Sequence, residues 1–147
     1  MEKVSLENAV RAFRMVVEAH KHRLGPVFRE FPRGSCGATS ELLAAFLKDC
    51  QLGTFSYVSG WHREKSISHA WLELEELIVD VTSDQFPERG GASLVTTDRS
   101  WHAQFSRDVE RRVDGDFRLL SGAGECGSQY DMIYEPLMLQ ICVGAGL

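Results

Sequence analysis

The sequence predicts an α+β protein: N-terminal helices packed on a small antiparallel β-sheet. Two observations carry this. Over Leu6 to Val17, and again over Leu42 to Cys50, apolar residues recur at three- and four-residue steps, the period of a helix face. From Thr54 the pattern changes to β-branched and aromatic residues in alternation, as strands require. The length, 147 residues, fits a single domain over 1–147 and is enough for a real core.

Composition is that of a globular protein, with 44% hydrophobic and 25% charged residues. A formal net charge of −5 disfavours electrostatic binding to nucleic acid or anionic lipid, so neither is expected as a partner. Arg107, Arg111 and Arg112 gather locally, but Asp108 and Glu110 are mixed among them and the stretch reads as a solvated face. No apolar run approaches the roughly 18 residues of a membrane span. Glu2, Lys3 and Glu7 leave no room for an apolar signal core, so the cytoplasm is the expected location. The four cysteines, Cys36, Cys50, Cys126 and Cys142, have no C-x-x-C spacing. Free thiols are therefore expected, with no metal and no cofactor.

In chain order, Ser5 is placed to cap a helix running to about Leu24, with Leu6, Ala9, Val10, Phe13, Val16 and Val17 on its buried face. His20 and His22 sit near its end as surface residues. Gly25-Pro26 stops it. A second helix is expected from about Cys36 to Cys50, with Leu42, Leu43, Phe46, Leu47 and Cys50 inward and Glu41, Lys48 and Asp49 outward. Thr54 to Val58 reads as a strand, Gly60 to Lys65 as an exposed connection, and Ile67–Leu74 and Leu77–Thr82 as a hairpin across Glu75-Glu76. Ser83 to Pro87 is a turn, Leu94 to Thr97 a short strand. Asp98 or Ser100 is expected to cap a short helix carrying Trp101, Phe105 and Val109. Gly122, Gly124 and Gly127 suggest a loop, and Met132 to Val143, interrupted by Pro136, fits strand or helix.

One junction stands out. Arg33-Gly34-Ser35-Cys36-Gly37 leaves a Pro/Gly-rich loop and opens the apolar second helix. Free N–H groups and the helix dipole favour a thiolate there, and the same N–H groups suit an oxyanion. If the hairpin turns about the Leu74–Glu75 bond, Trp71 faces Ile78 and His69 faces Asp80. Facing residues of an antiparallel pair project from one side, about 4.5–5.5 Å apart at Cβ. An imidazole beside a carboxylate is held in one tautomer, with its other nitrogen available to a thiol.

These residues resemble the transglutaminase-like branch of the papain-like cysteine enzymes: Gly34-Ser35-Cys36-Gly37 opening a helix, His69-Ala70-Trp71 in one strand, Asp80 and Thr82 on the next. Arylamine acetyltransferases share the Cys, His, Asp order and are a looser match. The resemblance spans about Phe31 to Phe86. It implies a transglutaminase-like core in which Cys36 is the nucleophile, His69 the general base and acid, and Asp80 the orienting carboxylate. The glutamine that papain-type enzymes carry just before the cysteine is missing, Glu30 and Arg33 lying in that region. Gln85 is the nearest candidate for a second oxyanion donor, and Ser35 and Trp71 are further candidates for oxyanion or substrate contact. Asp84 competes with Asp80 for the carboxylate role, but its position suits a turn. Trp71 and Trp61 suit a groove wall or a packing role.

The expected function is acyl transfer from an amide through a Cys36 thioester, in the manner of a peptidase, deamidase or transglutaminase. The partner would be a protein, peptide or small amide. The alternative is a binding protein that keeps this fold without turnover.

Overall fold

A computed structural model describes residues 5–91, 94–112 and 124–144, the side chains of 111–112, 124–127 and 141–144 excepted. Helix α1 (Leu6–His20) starts where Ser5 predicts: its hydroxyl accepts the Asn8 N–H at 3.2 Å. Ala9, Val10, Phe13, Val16 and Val17 form its buried stripe. The helix ends short of Leu24, because residues 21–24 turn toward Gly25, whose φ of 105° is a glycine conformation. Helix α2 (Cys36–Asp49) buries Leu42, Leu43, Ala44, Phe46 and Leu47, and the Phe13 and Phe46 rings stack at 6.0 Å.

Among the described residues, five antiparallel strands follow: β1 (Ser56–His62), β2 (Ile67–Leu74), β3 (Leu77–Val79), β4 (Val95–Thr96) and β5 (Ser106–Arg112), in the order β4-β3-β2-β1-β5. Helix α3 (Gly124–Gly144) completes the described chain. It packs with α1 and α2, where Tyr130 donates to Asp49 at 2.6 Å and Gln129 donates to the Leu24 carbonyl at 2.7 Å. The architecture is thus α+β.

The sheet separates two apolar regions. Leu72, Val79 and Tyr57 join the large core shared with the helices. Val58, Trp71 and Ile78 face the other way, under Phe86, Trp101 and Phe105 from the connection after β3. The period of two along each strand produces this division. Among the described residues, no helix is long and apolar enough to cross a membrane.

Several expectations need correction. Strand β1 runs through Gly60, Trp61 and His62, which the sequence suggests as a connection. Strand β5 approaches β1 closely here: a Cβ on Gly60 would lie 2.8 Å from Phe105 Cβ and 2.9 Å from the Ser106 carbonyl oxygen. Glycine keeps the strand paired at that contact. The expected helix around Trp101 is only a 3-10 turn (His102–Gln104), and Val109 belongs to β5. Asp98 accepts from Ser100 N–H and hydroxyl at 3.0 and 2.7 Å, building a turn rather than a helix cap. Gly124 and Gly127 lie in α3, as does the stretch from Met132 to Val143 with Pro136 inside it; Gly122 lies outside the described residues. Arg107 is more than a solvated charge, since it pairs with the buried Glu73 of β2 at 2.7 Å.

The hairpin register is also corrected. Leu72 pairs with Val79, Glu73 with Ile78 and Leu74 with Leu77, so the chain turns about the Glu75–Glu76 bond, with Glu75 at φ 54°. Continued past Val79, this register sets Asp80 across from Trp71 and diagonal to His69. The offset is two residues, so both side chains keep the same face. An offset of one would have parted them.

Candidate active site

Cys36 is the first residue of α2, with Ser35 as N-cap. Along β2, strand β3 pairs with Leu72 to Leu74, so the backbone of β2 ahead of Leu72 has no β3 partner. The start of α2 meets that edge. The Cys36 thiol takes the Ala70 backbone N–H and is hydrogen-bonded to the His69 side chain. A thiol on the helical side thereby reaches an imidazole rooted on the opposite sheet face.

His69 Nε2 lies 2.7 Å from Asp80 Oδ2, and both side chains are buried. Asp80 Oδ1 accepts the Thr82 N–H at 3.1 Å. Past β3, the chain is held by the Asp80 N–H donating to the Leu94 carbonyl at 2.9 Å. Arg14 of α1 then secures the following turn, bonding the Val81 carbonyl and gripping both Asp84 oxygens at 2.8 and 3.0 Å. Asp84 is therefore a tether to α1 rather than a rival orienting carboxylate.

The charges in this cluster support one another. Burial opposes ionisation of all three groups. For Cys36, the hydrogen bond and positive charge of His69 outweigh that penalty and lower the thiol pKa, although Asp80 works against them. Burial also disfavours imidazolium, yet Asp80 and Cys36 raise His69 to about 9. Asp80 sits well below the usual carboxylate range because His69 and His102 overcome its own burial. The arrangement favours a thiolate–imidazolium pair anchored on a carboxylate. Cys50 behaves oppositely: burial and neighbouring Asp49 push it up to about 11.

Comparison with protein-family models, characterised proteins and solved structures gave no match.

The other candidates divide. Gln85 reaches the cluster: its Nε2 is 3.4 Å from His69 Nδ1 and donates to the Thr82 carbonyl at 3.0 Å. Ser35 is buried with its hydroxyl 3.4 Å from the Pro32 carbonyl, so it shapes the loop and is turned away from solvent. Trp71 is 1% exposed and donates its indole N–H to Glu73 at 2.8 Å. It is a packing residue beneath His69, not a groove wall. Trp61 is 43% exposed on β1.

His102 is the residue the sequence does not reveal. It is buried, and its Nε2 lies 2.8 Å from the same Asp80 oxygen that serves His69. An isolated histidine between Trp101 and Phe105 gives no sign of a partner 22 positions earlier. His69, Asp80 and His102 also have the composition of a metal site. Around a tetrahedral zinc, ligand atoms at about 2.0–2.1 Å from the ion would stand about 3.3 Å apart. The observed 2.7 and 2.8 Å separations are those of charge-assisted hydrogen bonds.

Proposed function

We propose that this chain is a cysteine acyl-transfer enzyme of transglutaminase-like type. The observation that carries the proposal is the single imidazole of His69, bonded at Nε2 to a buried carboxylate and in hydrogen-bond contact with the thiol of a helix-start cysteine. The Cys36 thiolate attacks an amide carbonyl carbon, forming the C–S bond and a tetrahedral oxyanion. The His69 imidazolium passes its proton to the leaving nitrogen as the C–N bond breaks, leaving a thioester. Neutral His69 then takes a proton from water or an incoming amine, which attacks the thioester, and the proton returns to the departing sulfur. Water gives hydrolysis, and an amine gives transfer. Asp80 stabilises the charged ring and keeps Nε2 protonated.

The test is intact-protein mass spectrometry after exposure to p-nitrophenyl acetate, a generic acyl donor. Acetyl is expected on Cys36, removable by hydroxylamine, and absent in Cys36→Ser. A wild-type protein that gains no acyl group at Cys36 would rule out thioester chemistry.

A further inference from the structure

We infer that Tyr57 of β1 supplies the second hydrogen-bond donor to the oxyanion formed at Cys36. This deepens the acyl-transfer reading and rests on it. Tetrahedral intermediates of acyl transfer carry charge that a site must meet with more than one aimed donor. The backbone N–H of Cys36, in the unbonded first turn of α2, is one. Gln85 is poorly placed for the other. One amide N–H is given to the Thr82 carbonyl, and the nitrogen stands against the His69 ring.

Tyr57 approaches from the opposite strand. It pairs with Leu72 while Ser59 pairs with Ala70, so its side chain shares the face on which α2 lies. Its hydroxyl reaches the first turn of α2: a Cβ built on Gly37 would lie 3.1 Å from the Tyr57 oxygen. Gly37, next to the nucleophile, thus leaves space where any other side chain would press on that hydroxyl. Tyr57 also senses the Cys36 charge: burial foremost, then the thiolate, raises its pKa, so it remains a protonated donor through neutral pH. A phenol is well suited to this task, because its O–H strengthens its bond as negative charge grows on oxygen.

The role separates two reactions of one thiol. Alkylation by iodoacetamide displaces iodide at a saturated carbon and forms no oxyanion. Acylation by p-nitrophenyl acetate does form one. For Tyr57→Phe, which removes a single oxygen, acylation of Cys36 should slow by about 10²-fold, while iodoacetamide alkylation at the same pH stays within about twofold. Gly37→Ala, which displaces the hydroxyl and leaves the tyrosine in place, should show the same split. Equal slowing of both reactions in Tyr57→Phe would overturn the inference, making Tyr57 a tuner of the thiolate. Unchanged rates in both would overturn it also, leaving Cys36 acylation and the acyl-transfer reading intact. If wild-type protein is alkylated but never acylated at Cys36, both readings fall.

Discussion

His102 Nε2 stands 2.8 Å from Asp80 Oδ2, the oxygen that His69 Nε2 also reaches at 2.7 Å. One carboxylate oxygen is thus held between two buried imidazoles, and Thr82 holds the other oxygen by its N–H. Asp80 is thereby held on both oxygens, by two ring nitrogens and one backbone N–H. His102 Nδ1 has no partner among the described residues, so the ring is kept for its bond to Asp80 despite the cost of an unsatisfied buried nitrogen.

His102→Leu should therefore act on both stability and turnover. Loss of a charge-assisted bond to a buried carboxylate is expected to cost about 2 kcal/mol, read by urea denaturation. Acylation should fall with KM little changed, since the substrate itself meets no part of His102. His102→Gln, which keeps a donor, should recover part of both. Wild-type stability in His102→Leu would show that His69 and Thr82 suffice.

Asp80→Asn keeps size and removes charge. The amide favours the wrong ring tautomer and cannot stabilise imidazolium, so the acylation rate should drop by about 10³–10⁴-fold. Some residual rate should survive because the thiol and helix start remain. Iodoacetamide labelling of Cys36 near neutral pH should fall too, as the thiolate loses its imidazolium partner. Undiminished acylation would exclude Asp80 from the triad.

Thiol reactivity should separate Cys36 from Cys50. With one pKa lowered by His69 and the other raised to about 11, alkylation near neutral pH should modify Cys36 first by a wide margin. Site-resolved labelling by peptide mass spectrometry reads this directly. Faster labelling of Cys50 would contradict the assigned environments.

The pH profile follows from His69. Its raised value, about 9 against an ordinary 6.5, means the folded state binds its proton more tightly than the unfolded chain. That contribution to stability is complete below about 6.5 and is lost as pH rises through about 9. Asp80 is depressed, so its contribution is present above its ordinary 3.8 and is lost as pH falls below it. With an amide donor, acylation should fade on the alkaline side near 9, where the imidazolium proposed to protonate the leaving nitrogen disappears. Thermal melts and rates across pH should show coincident alkaline limbs in wild type. The rate limb should vanish with His69→Ala.

Gly60→Ala tests the second layer. The added Cβ would meet Phe105 Cβ at 2.8 Å and the Ser106 carbonyl oxygen at 2.9 Å, next to the register irregularity between β1 and β5. Backbone cannot rotate away as a side chain can, so destabilisation of about 2–3 kcal/mol is expected by chemical denaturation. Phe105 also packs on the His69 ring, with centroids 5.7 Å apart, so catalysis should suffer with it. Unchanged stability would mean that β5 can shift freely.

What the sequence by itself determined lies within a few residues of its cause. Ser5 and the apolar step of α1, the opening of α2 at Cys36, and the β2 span from Ile67 to Leu74 all follow from local period and capping. The shared face of His69 and Asp80 was legible too, because alternation along strands survives a register offset of two. The offset itself was decided by where the Glu75-Glu76 turn closes. Only tertiary structure brought the Cys36 thiol to the Ala70 edge, since that depends on how α2 packs across β1 and β2. The same is true of His102, Tyr57 and β5. Their partners are set by long-range packing, in which Phe86, Trp101 and Phe105 cover one sheet face and the helices cover the other, and no short window of sequence encodes which buried side chains then meet.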